Sequence, residues 1–230
     1  MGGALNTITL VNRDDLSNVA ASRLTYTSAS KRIGHNIVMR IFKRSVDLLI
    51  VGAAAPAALL VVTLACLATA IMCGRPVFFI QERVGMNGRL FRMIKLRTMS
   101  RSDSTSAMAT LAQDNRITPI GRILREYRID ELPQLLNVLK GEMSLIGPRP
   151  EQPGLVNEYR RYLPRFDERH VVKPGITGLA QVMYGYASNL KETRNKLRYD
   201  LIYVRKPSVR LEAQIALMTV RTVLGREKVR

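Results

Sequence analysis

Residues 48–74 read LLIVGAAAPAALLVVTLACLATAIMCG and contain no charged side chain. A straight helix of this length is about 40 Å long, which exceeds the roughly 30 Å thickness of a hydrocarbon core. Pro56 lies inside the run, where a proline removes a backbone hydrogen bond and bends the helix. The stretch therefore predicts a helical membrane segment that is disturbed at Ala55 and Pro56.

Basic residues flank this apolar run on both sides. Those before it are Lys31, Arg32, Arg40, Lys43 and Arg44, and those after it are Arg75, Arg83, Arg89 and Arg92. Because lysine and arginine are enriched on the cytoplasmic side of membranes, a spanning helix satisfies this preference at one end only. A helix that enters, breaks at Pro56 and returns satisfies it at both ends. The residues alone leave a single span and a re-entrant hairpin open.

The charged residues just before the run recur every three or four positions, at Arg40, Lys43, Arg44 and Asp47. On a helix, this spacing places them along one face. It predicts an amphipathic segment that lies at the level of the lipid headgroups.

The composition points to anionic partners, because the net charge is +18 and the isoelectric point is about 10.6. Only 6% of the residues are aromatic and tryptophan is absent. The chain therefore lacks the aromatic platform on which single-stranded nucleic acids stack. We expect membrane lipids and phosphorylated substrates as partners, and no nucleic acid.

The sequence divides into a polar tail, a membrane segment and one mixed α/β domain. Residues 1–30 are rich in Ser, Thr, Asn and Gly without periodicity, and we expect a mobile tail there. Residues 37–74 form the membrane segment, and residues 75–225 form the domain. Within the domain, the patterns predict strands at 77–80 and 90–95, helices at 120–127 and 132–139 with a stop at Gly141, and an amphipathic helix at 209–224. The last helix packs either on the core or on the membrane surface.

Few residues are available for catalysis. The two histidines, His35 and His170, are far apart, and Cys66 and Cys73 match no metal-binding spacing. A zinc site and a histidine-based triad are therefore disfavoured. The glycine-rich motifs of classical nucleotide-binding folds are also absent.

The carboxylates Asp130 and Glu131 stand in the sequence RIDELPQLL, residues 128–136. One interpretation is purely structural, with Asp130 as the N-cap of a helix and Pro133 in its first turn. The other is functional, because a helix N-terminus favours a phosphate group. Adjacent helical residues point about 100° apart, so the pair does not face a single atom.

Basic residues surround this pair in the sequence. Arg149 is bracketed by prolines in GPRP (147–150), which fixes the backbone and presents a planar guanidinium that matches phosphate oxygens. Lys95 and Arg97 stand in KLRTM (95–99), at the end of a predicted strand. The other arginines near the pair are Arg116, Arg122, Arg125 and Arg128. Each is either a solvated surface charge or a phosphate ligand.

The ordered set of motifs resembles the bacterial sugar transferase family, the monotopic phosphoglycosyl transferases. The resemblance covers about residues 37–225. It rests on the apolar run with its internal Pro56 and on KRSVD (43–47), KLRTM (95–99), DELPQ (130–134), GEMS (141–144), GPRP (147–150) and KPGITG (173–178).

The resemblance implies an enzyme with a re-entrant membrane helix that acts at the cytoplasmic face of the bacterial inner membrane. Asp130 would attack the β-phosphate of a UDP-sugar, UMP would leave, and polyprenyl phosphate would take up the sugar phosphate. Glu131 would orient or deprotonate, and Asp130 would contact Mg²⁺. The residues expected to contact the phosphates are Arg149, Lys95, Arg97 and Arg125. Such a reaction would be the first membrane step in the synthesis of an exopolysaccharide or another surface glycan.

The chain also departs from the family pattern. The break carries Ala55 before Pro56 instead of serine, and AQVMYGY (180–186) replaces a stretch in which an arginine is expected. We expect a minimal catalytic form without the additional spanning helices of longer relatives. The rival hypotheses are a non-enzymatic basic module that recruits partners to a membrane surface, and a membrane-anchored nucleic-acid binder.

Overall fold

A computed structural model of the chain describes residues 37–100, 116–184 and 189–224. The tail expected at residues 1–30 lies outside this part. The helices are α1 (Ile37–Cys73), α2 (Pro119–Glu126), α3 (Leu135–Lys140), α4 (Pro153–Tyr162), α5 (Leu179–Met183), α6 (Leu190–Arg205) and α7 (Val209–Leu224). The strands are β1 (Phe78–Val84), β2 (Leu90–Leu96), β3 (Ser144–Ile146) and β4 (Gly175–Thr177). Three 3-10 helices span Met86–Gly88, Ile129–Gln134 and Phe166–Val171.

Over the described ranges, the fold is mixed and mostly helical, with two small two-stranded sheets. β1 and β2 form an antiparallel hairpin, and β3 pairs with β4 in parallel. The hairpin, the stop at Gly141 and the helix at 209–224 agree with the sequence predictions. Gly141 ends α3 with a φ of 81°, a left-handed conformation that glycine adopts at little cost.

Helix α1 is long and apolar enough to cross a membrane. It is helical without interruption through Ala55 and Pro56, so the predicted break is not confirmed. Proline at position 56 removes only the hydrogen bond to the carbonyl of Gly52, four residues earlier. The other hydrogen bonds of the helix on both sides of Pro56 do not involve the proline nitrogen, and the helix continues through it.

Both ends of α1 pack against the same domain, whereas its middle does not. Val51 is buried among hairpin and α3 side chains, and Ala65 is buried against Leu96 and Leu124. Between them, at residues 52–64, every side chain is exposed or only partly covered. The domain therefore leaves the apolar middle of α1 uncovered.

Three charged residues at the start of α1, namely Lys43, Arg44 and Asp47, contact the domain, and the level of this face in a membrane stays a prediction. Lys43 forms an ion pair of 2.6 Å with Glu212 of α7, and Arg44 donates to the last carbonyls of α3. Asp47 is 4% exposed and accepts hydrogen bonds from the Ser144 hydroxyl and the Leu145 N–H. Polar groups that are buried between α1 and the domain need hydrogen-bond partners, and the charged side chains at the start of α1 supply them.

Candidate active site

The segment with Asp130 and Glu131 begins differently from the predicted N-cap. Arg128 adopts a left-handed conformation with a φ of 54°, and the 3-10 helix follows it directly. Asp130 thus lies inside this helix and α3 begins only at Leu135. Successive residues of a 3-10 helix point about 120° apart, so the two carboxylates face different surroundings.

Glu131 is held by two cations from distant parts of the chain. Its Oε1 lies 2.9 Å from the Lys95 Nζ and 2.7 Å from the Arg149 Nη2, and Arg128 approaches its other oxygen to 3.7 Å. Burial raises the pKa of this carboxyl, but Arg149 and Lys95 outweigh it and hold the pKa well below its usual range. Glu131 is therefore an ionised anchor for Lys95 and Arg149, which the sequence analysis had assigned to phosphates.

Asp130 is 8% exposed, and its carboxylate has no hydrogen bond or ion pair within the described residues. Burial and the neighbouring Glu131 raise its pKa to about 6, against the attraction of Lys95, Arg125 and Arg149. A carboxylate without a partner is less stabilised and more nucleophilic than one held in an ion pair. With three cations near it, this group is suited to attack an electrophile that carries negative charge, such as a phosphoryl group.

The other two predicted phosphate ligands differ in their surroundings. Arg125 donates through Nε to the Thr98 hydroxyl at 2.8 Å and belongs to the cations that act on Asp130. Arg97 donates to the carbonyls of Cys73 and Gly74, at 2.6 and 2.8 Å. Its guanidinium thus caps the C-terminal end of α1, where cations are favoured, and ties that end to the strand that carries Lys95.

The GPRP and KPGITG motifs pack against each other through their backbones. Next to the β3–β4 pair, the Gly147 N–H donates to the Thr177 carbonyl at 2.8 Å. A Cβ on Gly175 would lie 2.1 Å from the Gly147 nitrogen, and a Cβ on Gly178 would lie 2.1 Å from the Gly147 oxygen. Only glycine permits this approach, which places Arg149 beside Glu131.

Replacing Gly175 by alanine is expected to displace the backbone around Arg149 and to lower the melting temperature by about 10 °C or more. The reason is that the new Cβ meets backbone, which cannot move aside as a flexible side chain does. Gly154→Ala is the matched control, because nothing lies within 4 Å of its Cβ position. Thermal unfolding of both variants checks this, and equal melting temperatures would contradict the packing described.

The site is compatible with Mg²⁺ through Asp130. This carboxylate has no partner within the described residues, and its pKa is raised by burial and by repulsion from Glu131, both of which a bound cation would offset. The described part of the chain contains no group of three metal-ligating side chains. That agrees with the chemistry of Mg²⁺, which is often held by one or two carboxylates together with substrate phosphates.

A cavity of about 460 Å³ lies elsewhere, between the hairpin and the end of α3. Its lining includes Leu90, Arg92 and Ile94 of β2. Lys95 follows Ile94 directly, and successive strand residues point to opposite faces. The cavity thus lies on the face of the hairpin that is turned away from Asp130 and Glu131.

Sequence reasoning missed the buried ion pair between Arg169 and Asp200, whose side chains are 2.8 Å apart and 2–3% exposed. Asp200 lies on the apolar face of α6, with Leu197, Leu201 and Val204 at helical spacing. An acidic residue on the apolar face of an amphipathic helix is a sequence signal that indicates a buried, paired charge. Its partner could not be identified, since it lies 31 residues away.

Residues 38–226 match the model of the family described as bacterial sugar transferases. A UDP-N-acetylgalactosamine-undecaprenyl-phosphate N-acetylgalactosaminephosphotransferase from Aeromonas hydrophila is 47% identical over 151 residues, 65% of this chain and 36% of that protein. A UDP-glucose:undecaprenyl-phosphate glucose-1-phosphate transferase from Caulobacter vibrioides is 40% identical over 164 residues, 70% of this chain and 61% of that protein. The enzyme with the same name from Escherichia coli K12 is 36% identical over 190 residues, 80% of this chain and 40% of that protein. The chain thus spans between about a third and three fifths of the length of these relatives.

Proposed function

Because the chain belongs to the bacterial sugar transferase family, we propose that it transfers a sugar 1-phosphate from a UDP-sugar to polyprenyl phosphate and releases UMP. The observation that carries this proposal is Asp130, a buried carboxylate without a partner in the described residues that lies among Lys95, Arg125 and Arg149. The printed names of the relatives support a UDP-sugar as donor and undecaprenyl phosphate as acceptor.

In the first step, a carboxylate oxygen of Asp130 attacks the β-phosphorus of the donor. The bond between this phosphorus and the oxygen that bridges to the α-phosphate breaks, and UMP leaves with the electron pair. The sugar phosphate is then an acyl phosphate on Asp130. The cations around the site neutralise charge on the phosphate oxygens, which lowers the electrostatic barrier for an anionic nucleophile.

In the second step, a phosphate oxygen of the polyprenyl phosphate attacks the same phosphorus. The bond to Asp130 breaks, the carboxylate is regenerated, and the product is a polyprenyl diphosphate sugar. Two easier displacements thus replace a single transfer between two bulky substrates. Mg²⁺, when bound at Asp130, would supply further charge neutralisation at the phosphates.

Glu131 holds Lys95 and Arg149 in place during these steps and does not itself act as a base. Its pKa is far below the usual range because it is surrounded by cations. An acid with so low a pKa is a poor proton acceptor at neutral pH. Of the two roles expected for Glu131, the proposal is thus the orienting one.

The proposed enzyme lies at the cytoplasmic face of the inner membrane, with α1 inserted as a re-entrant hairpin. In support of this, both halves of α1 pack on one domain, whereas the apolar residues around Pro56 are left uncovered. Basic residues such as Arg40 and Arg75 stand at both ends. Insertion would bend α1 at Gly52 and Pro56, where one hydrogen bond is already missing.

Single cysteines placed at Arg40 and at Arg75 are expected to react from the same side of the membrane with an impermeant thiol reagent. The background is a variant without Cys66 and Cys73. Labelling of inverted and right-side-out vesicles checks this prediction. Labelling from opposite sides would show a spanning helix and would refute the hairpin while leaving the chemistry at Asp130 untouched.

The rate of UMP release is expected to fall about tenfold per pH unit below about pH 6. Asp130 attacks as a carboxylate, and its pKa is raised to about 6, so the reactive fraction disappears as the pH falls through that value. A profile of kcat/KM between pH 5 and 8 checks this expectation. An apparent pKa near 4 would mean that the site does not desolvate Asp130 as described.

A panel of UDP-sugars, scored by UMP release in membranes that contain polyprenyl phosphate, tests the activity itself. Release with at least one donor, dependent on Asp130, is expected. Binding to anionic vesicles without UMP release from any donor would favour the recruitment module instead.

A further inference from the structure

The carbonyl oxygens of residues 148–151, here called the arginine loop, each accept a hydrogen bond from elsewhere in the fold. The donors, in order along the loop, are the Gly175 N–H at 3.0 Å, the Arg169 Nη2 at 2.7 Å, the Arg83 Nη1 at 3.2 Å and the Val84 N–H at 3.0 Å. Because Pro148 and Pro150 have no N–H, the loop depends on these acceptors for its position.

The carbonyl of Arg149 itself is held by a side chain rather than by backbone. Arg169 is 2% exposed, and besides the Arg149 carbonyl it contacts one oxygen of Asp200 through Nε at 2.9 Å and Nη2 at 2.8 Å. The ring of Phe166 lies 5.1 Å from its guanidinium carbon. Arg169 is thus fixed from three sides while it orients the residue that contacts Glu131.

A buried ion pair is weak evidence for a stabilising role, because desolvation of both charges offsets their attraction. Two apolar side chains would join α6 to the 3-10 helix Phe166–Val171 at least as well. What apolar side chains cannot supply is a hydrogen bond to the Arg149 carbonyl. The geometry therefore favours a role in positioning over a role in stability.

We propose that Arg169 and Asp200 are positioning residues that set the orientation of Arg149 for phosphate binding. This inference rests on the proposed function, in which Arg149 meets a phosphate of the donor. Asp200 fixes the guanidinium of Arg169, and Arg169 fixes the backbone of Arg149. Neither residue touches the substrate.

A double-mutant cycle in the full-length chain tests the inference. Arg169→Lys, which keeps the charge but loses the planar contacts, is expected to lower kcat/KM by about 10- to 100-fold. In an Arg149→Ala background, the same change is expected to cost less than about twofold, because the group that it orients is gone. Val204→Ala is the structural control, because it creates a cavity at a fully buried position in the helix that carries Asp200. It should lower kcat/KM by the same factor in both backgrounds.

The affinity for inorganic pyrophosphate, measured by calorimetry on the same variants, gives a second readout that needs no turnover. Arg169→Lys should weaken pyrophosphate binding in the native background and leave it unchanged in the Arg149→Ala background. Asp200→Asn, which is nearly isosteric, replaces Arg169→Lys if the latter does not fold. Equal losses in both backgrounds would overturn the inference. A different result would overturn the proposed function instead: the native chain releases no UMP, although Arg169→Lys still weakens pyrophosphate binding only in the background that contains Arg149.

Discussion

Asp130→Asn should reduce UMP release from a UDP-sugar by at least about a thousandfold. Asparagine has nearly the same shape as aspartate, but its amide oxygen is a poor nucleophile and cannot carry a phosphoryl group through a stable acyl phosphate. UMP release from the best donor of the panel, with enzyme in excess, measures the loss. Asp167→Asn is the matched control, since Asp167 pairs with Arg160 away from the site and should retain activity.

The same substitution is expected to leave the protein as stable as before, or more stable. The folded pKa of Asp130, about 6, lies above its ordinary value. Folding therefore favours the protonated form, and the free energy of unfolding decreases as the pH rises from about 4 to about 6. At pH 7 the free energy of unfolding has decreased by the full amount. The neutral amide of the Asp130→Asn variant has no such penalty, so the variant should gain at most about 3 kcal/mol in its free energy of unfolding. A large decrease in the melting temperature would contradict the environment described for Asp130.

Glu131→Gln is expected to reduce both activity and stability. The glutamine is neutral, so Lys95 and Arg149 would lose the anion that lies 2.9 and 2.7 Å from them. Leaving buried charges uncompensated typically costs about 3 to 5 kcal/mol. We expect UMP release to fall by about a hundredfold or more, since the misplaced cations no longer meet the phosphates. Thermal unfolding and single-turnover kinetics at pH 7 measure the two effects.

Neutralising the two neighbouring carboxylates is expected to change the stability in opposite directions. Because the pKa of Glu131 lies below its ordinary range, its ionised form stabilises the fold above about pH 4.5, and this contribution is lost as the pH falls through the folded pKa. Glu142→Gln is a suitable control, since the amide oxygen of glutamine can still accept the hydrogen bond from Asn137. Unchanged stability in Glu131→Gln would refute its role as an anchor.

The local elements were predictable because their signals are local. The hairpin follows from alternation around the turn at residues 85–88, and α7 follows from its apolar face. The 3-10 helix was not predicted. Pro133 forms part of it, and α3 therefore starts at Leu135, later than the periodicity of residues 132–139 indicates.

The contacts of the site were less predictable, because they join distant parts of the chain. Basic residues were expected near Asp130. That two of them pair with Glu131 instead depends on side-chain directions, and Lys95 and Glu131 are 36 positions apart in the sequence. Asp47 is a similar case. Its spacing predicted a charged helix face at the level of the lipid headgroups, and it gave no sign that the carboxylate is buried against Ser144, 97 residues later. A periodic pattern identifies which residues share a face and does not identify what that face contacts.

The two-step mechanism requires Asp130 to carry the sugar phosphate between the two displacements. Mass spectrometry of the enzyme incubated with donor alone, without polyprenyl phosphate, detects this intermediate. The peptide that contains Asp130 should gain the mass of one sugar phosphate and lose it again when the acceptor is added. Full turnover without any such adduct, or with an adduct on another residue, would rule the mechanism out.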